Sequence, residues 1–411
     1  MTTIPSFFFP GHQRLNVIAV LAIAAVALSA CGGGDDTIAP PVLAPVVERS
    51  VASLRLIGQQ VLPRRVEFGG TVVGGLSGID FDAASNRYVL VSDDRTTTDS
   101  ANAPRMYFAS LAFDVNSFSG VSLTSTFTMK QPNGSVYPKV PDGLTADPES
   151  VRFDPVTGNL LWVSEGQRTV SSTAPATNVL IQPFLREITT TGAHVREYTL
   201  PANFQIAATD TGPRGNAVFE GLTVTPDRSK TVVIAEGPLL QDGAAPTVIT
   251  GATSRITVFD RATGVASAQY AYPIERVQIA PVPADQFSVS GPTEILAVTN
   301  TKFLVLERSF SVGVVGNQVR LYEVDIANAT NVLNTPALTA TNATRVTKRL
   351  VLDFETLKTQ LGGVANLEGI TFGPKLANGR DSLVVVADDN FPLAASATDF
   401  NQFLVFEVVP Q

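Results

Sequence analysis

Leu76-Ser77-Gly78-Ile79-Asp80-Phe81-Asp82 and, a few residues on, Tyr88-Val89-Leu90-Val91-Ser92-Asp93-Asp94-Arg95 read as two short strands. The second is apolar at consecutive positions and closes on acids. The same pair recurs along the chain. Glu149-Ser150-Val151-Arg152-Phe153-Asp154 leads to Leu161-Trp162-Val163-Ser164-Glu165-Gly166, and Glu220-Gly221-Leu222-Thr223-Val224 leads to Val232-Val233-Ile234-Ala235-Glu236-Gly237. Glu294-Ile295-Leu296-Ala297-Val298 leads to Phe303-Leu304-Val305-Leu306-Glu307-Arg308, and Glu368-Gly369-Ile370-Thr371-Phe372 to Leu383-Val384-Val385-Val386-Ala387-Asp388-Asp389. Aligned this way, the units start at 77, 149, 220, 294 and 368, spaced by 72, 71, 74 and 74 residues.

Each unit has room for two more strands, such as 105–114 with 122–129, or 186–189 with 194–200. Four antiparallel strands per period is the pattern of a β-propeller blade, so the fold class is all-β. Five blades are visible, and the stretches 130–148 and 273–293 leave room for a degenerate sixth. The last unit ends one strand short, and residues 52–62 are the candidate to close it, which would remove the free edges.

In a propeller the first strand of a blade begins, and the second ends, on the same face beside the axis. Two sets of acids are therefore expected around one mouth of the channel: Glu149, Glu220, Glu294 and Glu368, with Ser77 in the odd unit, then Asp93, Glu165, Glu236, Glu307 and Asp388. So many carboxylates cannot all ionise unpaired. One remedy is internal, since Arg105, Arg186, Arg255 and Arg320 open third strands on that face and suit an acid–arginine ring. The other is a hard cation held by oxygen ligands, Ca²⁺ first, with Mg²⁺ or Mn²⁺ as alternatives. Arg95 and Arg308 directly follow strand-two acids and have the fork geometry for phosphate.

The remaining composition narrows the chemistry. The 411 residues contain one cysteine, Cys31, and two histidines, His12 and His194, which leaves out disulfides, Cys/His zinc sites, haem and thiol nucleophiles. A net charge of −8 argues against nucleic acid as a partner. There is no phosphate-loop motif and no G-x-S-x-G elbow, and His194 falls in a turn between outer strands. Residues 1–30 have a signal-peptide layout, with Arg14 before an apolar stretch at 15–30. Leu28-Ser29-Ala30-Cys31 looks like a bacterial lipobox, so Cys31 is the expected lipidation site, followed by a Gly- and Pro-rich tether over 31–50 and a propeller over 51–411. Gly32 after the cysteine points to export and anchoring in the outer membrane, facing periplasm or cell surface.

The repeats resemble the bacterial family described as esterase-like activity of phytase, a propeller group related by fold to the alkaline phytases, over about residues 70–410. The resemblance is carried by Ser92-Asp93-Asp94-Arg95 with Pro104-Arg105-Met106-Tyr107, by Phe219-Glu220-Gly221-Leu222, and by Leu306-Glu307-Arg308-Ser309-Phe310. Asn366-Leu367-Glu368-Gly369-Ile370 and Ala387-Asp388-Asp389-Asn390-Phe391 complete it. It implies phosphoester hydrolysis by the repeated acids. On that reading Glu149, Glu220, Glu294 and Glu368 hold metal, and Asp93, Glu165, Glu236, Glu307 and Asp388 complete its shell or polarise water. Arg95, Arg308 and Arg105 bind the substrate. The full lysine and arginine set of alkaline phytases does not map onto this chain, so the expected substrate is a small phosphate ester rather than phytate in particular. Two alternatives stand beside this: a non-catalytic binding propeller with a structural acid–arginine ring, and a calcium-dependent lactone hydrolase.

Overall fold

A strand such as Tyr88-Val89-Leu90-Val91, apolar at every position, needs cover on both faces. The computed structural model, which describes residues 48–96, 103–172, 177–396 and 398–411, provides it by packing sheets face to face around an axis. Leu90 packs with Val384, Val386 and Phe403 on one side, while Val89 and Val91 pack with Trp162 and Leu160 on the other. Five main apolar clusters result, one for each pair of adjacent blades. Each fully buried Val, Leu or Phe in them contributes about 1.5–3 kcal/mol before conformational entropy is set against it.

Five four-stranded antiparallel sheets form the blades, and two two-stranded ribbons, Glu67–Phe68 with Thr71–Val72 and Gln167–Thr169 with Val179–Ile181, accompany them. Blade one comprises Leu76–Asp82, Arg87–Ser92, Arg105–Phe113 and Phe118–Thr128, and blade two Pro148–Phe153, Leu160–Ser164, Phe184–Ile188 and His194–Glu197. Blade three comprises Phe219–Val224, Lys230–Ala235, Ala252–Asp260 and Val265–Ile274. Blade four comprises Ser288–Ala297, Lys302–Ser311, Gln318–Asp325 and Thr347–Asp353. Blade five takes Asn366–Phe372, Ser382–Asp388 and Gln402–Val409 from the end of the chain and Ser53–Val61 from its beginning. That closing strand pairs from Ser53↔Val409 to Val61↔Gln402. Inner strands of successive blades touch in the order one to five and back to one, closing the circle. No sixth blade forms among the described residues. The stretch 130–148 contributes the isolated bridge Lys130↔Val136, and 273–293 holds the end of blade three's outer strand and the start of blade four's inner strand, with no strand over 275–287 between them.

Every inner strand carries a one-residue bulge, after its first or second residue in blades one, two, three and five and midway along it in blade four. The next residue lies where neighbouring inner backbones converge. A Cβ on Gly221 would stand 2.5 Å from the Ile295 amide nitrogen, and one on Gly78 2.9 Å from Ser150 Cα, which explains glycine at both. The expected leader, lipobox cysteine Cys31 and most of the tether lie outside the described residues, as does His12.

Candidate metal centre at the channel mouth

A bulge removes one residue from the ladder and turns its side chain toward the axis. In blades two, three and five the bulged residue is Glu149, Glu220 and Glu368, and in blade one it is Ser77. Blade four departs from the repeat: the bulged residue is Thr293, not Glu294. The partner strand is offset with it. Pro292 faces Glu307 as Phe219 faces Ala235 and Leu367 faces Ala387. The position held by Asp93, Glu165, Glu236 and Asp388 therefore falls in blade four to Arg308, and Glu307 is one residue out of register. Because side chains alternate, that single residue sends Glu294 and Glu307 away from the mouth. Glu307 turns into the seam with blade three, where it accepts hydrogen bonds from Tyr272 Oη (2.9 Å), Lys348 Nζ (2.5 Å) and the Glu275 amide (2.6 Å).

The third-strand arginines also differ from expectation. Arg105 is buried, donating to Asp94 Oδ2 (2.8 Å) and Val72 O (2.6 Å), so it lies away from the mouth rather than in a substrate site. Arg255 makes a bidentate pair with Asp242 (2.7 and 2.8 Å), Arg186 bonds Glu197 (2.8 Å), and Arg320 bonds Asp353 (2.9 Å). Each of the four has its own partner, in the preceding loop for Arg105 and Arg255 and on the outermost strand for Arg186 and Arg320, so the acids at the axis are not neutralised by them.

What remains at the mouth is a cavity of about 610 Å³. Asp93, Glu149, Glu220, Glu236, Glu368 and Asp388 line it together with Arg95 and Arg308, and Glu165 is buried against them. Asp147 joins them, a residue missed from the repeat because it precedes the bulge. Its signal is the Asp147-Pro148-Glu149 spacing, which sets both acids on the same side of the chain. These eight carboxylates, with Asp399 also on the cavity wall, face two guanidinium groups. Arg95 lies 3.2 Å from Asp147 Oδ2; Arg308 lies 3.3 Å from Glu236 and 3.5 Å from Glu368, and donates to Asn366 Oδ1 at 2.6 Å. Burial, and after it the neighbouring acids, lifts Asp93, Glu149, Glu165, Glu220 and Asp388 well above the usual carboxylate range. Burial lifts Asp147 to about 6 against the pull of Arg95, and raises Glu236 against that of Arg308. Burial works against the Arg308 charge, but Glu368, Glu236, Glu220 and Asp388 overcome it and raise its pKa.

Two overlapping triads of oxygen ligands stand in this cluster, Asp147–Glu149–Glu165 and Glu165–Glu220–Glu236, each with ligand atoms within 4.8 Å of one another. Glu165 belongs to both. Its Oε1 accepts the Val218 amide (2.9 Å), whereas its buried Oε2 accepts no hydrogen bond. An all-oxygen set with an orphaned buried acceptor fits a hard divalent cation, so these buried acids could hold a metal ion.

Directly on the axis, Arg152 and Glu294 form an ion pair at 2.9 Å. Arg152 donates to Ile79 O, Val151 O, Ile295 O and Ile370 O, reaching carbonyls in blades one, two, four and five. Glu294 accepts Ser150 Oγ and the amides of Leu222 and Ile295 at 2.9 Å. Burial lifts Glu294 to about 7, with Arg152 and these donors pulling the other way. The pair fills the channel with protein contacts from all five blades.

Fold and site together define the class: a five-bladed β-propeller with a buried carboxylate cluster at one mouth. The family model for phytase-like proteins, described as esterase-like activity of phytase, matches residues 71–391, and the chain belongs to that family. The family name points to a hydrolase and to nothing narrower. No curated protein matches the sequence. Among solved structures, an endo-arabinase from Bacteroides thetaiotaomicron is 11% identical, covering 82% of this chain and 95% of its own, with a TM-score of 0.41. The aldose sugar dehydrogenase of Streptomyces coelicolor is 15% identical, covering 90% and 100%, with a TM-score of 0.34. At these scores neither likeness decides anything about this chain.

Proposed function

We propose that the protein is a divalent-cation-dependent phosphoester hydrolase working at this mouth. The observation that carries the reading is the pair of triads sharing Glu165, with Arg95 and Arg308 beside them. A cation held by Asp147, Glu149, Glu165, Glu220 and Glu236, Ca²⁺ in the first instance, supplies Lewis acidity and offsets their charge. Arg308 and Arg95 hold the phosphoryl oxygens. In hydrolysis a water oxygen bonds to phosphorus, the bond from phosphorus to the alcohol oxygen breaks, and the alcohol leaves with a proton. Asp93 and Asp388 stand outside both triads and have raised pKa values, which suits them to take the proton from water and return one to the alcohol. Asp93 is only partly buried, whereas the other acids of the cluster are buried, so it has an edge open to incoming water. Glu368 bonds Asn366 Nδ2 at 2.8 Å and flanks Arg308, a positioning role.

Purified protein assayed on phosphomonoesters and phosphodiesters tests the reading. Turnover should disappear with a chelator, return with Ca²⁺, and be lost in Glu165→Gln and Glu220→Gln. Folded, cation-loaded protein that hydrolyses no ester leaves a binding propeller, and turnover confined to lactones moves the reading to the lactonase alternative. The leader and lipobox favour an exported lipoprotein held at the outer membrane through Cys31, and Cys31→Ala should then release it from the membrane fraction.

A further inference from the structure

The mouth is not symmetric. In blade four the first two strands run ten residues each, against five to seven in the other blades. The surplus, Ser288–Pro292 and the end of the partner strand, rises about 16 Å above the bulge at 3.3 Å per residue. Alternation decides what this wall presents. Gly291 pairs with Arg308 and Val289 with Phe310, two residues further up on the same face, and Phe287 follows beyond Val289. From the bottom, that face reads guanidinium, then Val289 and Phe310, then Phe287. All four side chains line the cavity. The Phe287 and Phe310 rings lie 6.4 Å apart at 42°, and Phe287 is 63% exposed. Apart from the cluster acids and the two arginines, the rest of the lining is polar: Asn216, Asn317, Asn366, Asn390, Thr398 and Asp399.

A single exposed apolar residue needs no explanation. Three aligned above the anion-binding arginine of a cavity otherwise lined by acids and amides are a different matter. Resting on the hydrolase reading, we infer that the blade-four wall is the leaving-group subsite, and that the preferred substrate is the phosphate ester of an aromatic alcohol. The phosphoryl group lies at Arg308, and the ring packs against Phe310 and Phe287 in offset or edge contact. A polyanionic or sugar alcohol would leave the wall uncovered and set further charge against the acids opposite.

The test compares phenyl phosphate with glycerol 2-phosphate, and phenylphosphonate with methylphosphonate as non-hydrolysable ligands, in Ca²⁺-loaded protein. Wild type should favour the phenyl member of each pair. Phe287→Ser with Phe310→Ser should lower that preference at least fivefold, about 1 kcal/mol in relative binding. Phe287→Ser alone, at an exposed site, should lower it in part without changing the melting temperature. Comparing the ratio between wild type and variants cancels the greater intrinsic reactivity of aryl esters, and the phosphonate pair, which does not react, is free of it. Equal ratios in wild type and variants, or no phenyl preference in wild type, overturn the subsite. The two proposals fail separately. Hydrolysis of both esters with an unchanged ratio keeps the hydrolase and sinks the wall. Selective phenylphosphonate binding without turnover keeps the wall and sinks the hydrolase.

Discussion

Two charged clusters share one channel and are built on opposite terms. On the axis, Arg152 and Glu294 are matched one to one and draw hydrogen bonds from the surrounding backbone, leaving only Arg152 Nε without a partner. At the mouth, eight carboxylates meet two arginines, and a buried oxygen of Glu165 has no donor. A cluster that satisfies itself ties blades together. One that does not is stable only in part-protonated form or with charge supplied from outside. The contrast assigns the axial pair to the fold and leaves the mouth as a set of acids that could hold a metal ion, although both are runs of buried charge.

The largest expected effect tests the first half of that contrast. Removing one partner of the axial pair leaves the other charge buried and alone, so Arg152→Met should cost about 3–5 kcal/mol in urea unfolding. A loss below 1 kcal/mol would mean that the pair holds nothing. The corresponding change at the mouth should behave oppositely: Glu165→Gln should leave the cation-free protein as stable as wild type or more so. Its cost should appear only with cation present. At a hundredfold excess over Kd, Ca²⁺ should stabilise wild type by about 2.7 kcal/mol, read as a rise in melting temperature, and Glu165→Gln should lose most of that gain. A rise that survives in the variant would dissolve the shared-ligand site.

The next effect concerns pH. The raised folded-state pKa values of Asp93, Asp147, Glu149, Glu165, Glu220 and Asp388 mean that the folded state keeps protons which the unfolded chain releases near pH 4. Stability is then full below about pH 4 and falls as pH rises, through about 6 for Asp147 and onward for the rest. Glu294, at about 7, adds to the same slope. Cation-free protein should lose stability between pH 5 and 8, about 4 kcal/mol from Asp147 and Glu294 alone, and Asp147→Asn should flatten the early part of the loss. Saturating Ca²⁺ should remove most of the slope, since ligand carboxylates must ionise to bind. Urea midpoints across pH, with and without cation, give both curves, and coincident curves would separate the mouth from cation binding.

The sequence carried the blades and the location of the mouth, because period-two strands, turn residues and a repeat of just over seventy residues are local or countable signals. It did not carry the register of blade four. Glu294 and Glu307 look like members of the repeat as text, yet the bulge at Thr293 turns both away, and a bulge has no residue signature of its own. The arginines failed for a related reason: Arg105 and Arg255 begin the expected strands, but Asp94 and Asp242 in the preceding loops capture them first. Asp147 escapes a repeat anchored on the glutamates, which starts two residues after it. A one-residue error is small in sequence and complete in function, since it exchanges an acid for Arg308 at the mouth.

The smallest expected effect concerns His194, which begins the outermost strand of blade two, paired opposite Ile188. In a chain with so few histidines it is the natural candidate for a general base, and burial holds its pKa below the ordinary value. Its partners lie elsewhere: the strand bonds its own blade, while the carboxylate cluster surrounds the axis at the opposite edge of the sheet. His194→Asn should therefore change stability by no more than about 0.5 kcal/mol and leave both the cation-induced rise in melting temperature and the pH profile of any turnover where they were. A displaced profile would mean that proton transfer involves the blade rim, and that the carboxylates of the mouth do not handle the proton alone.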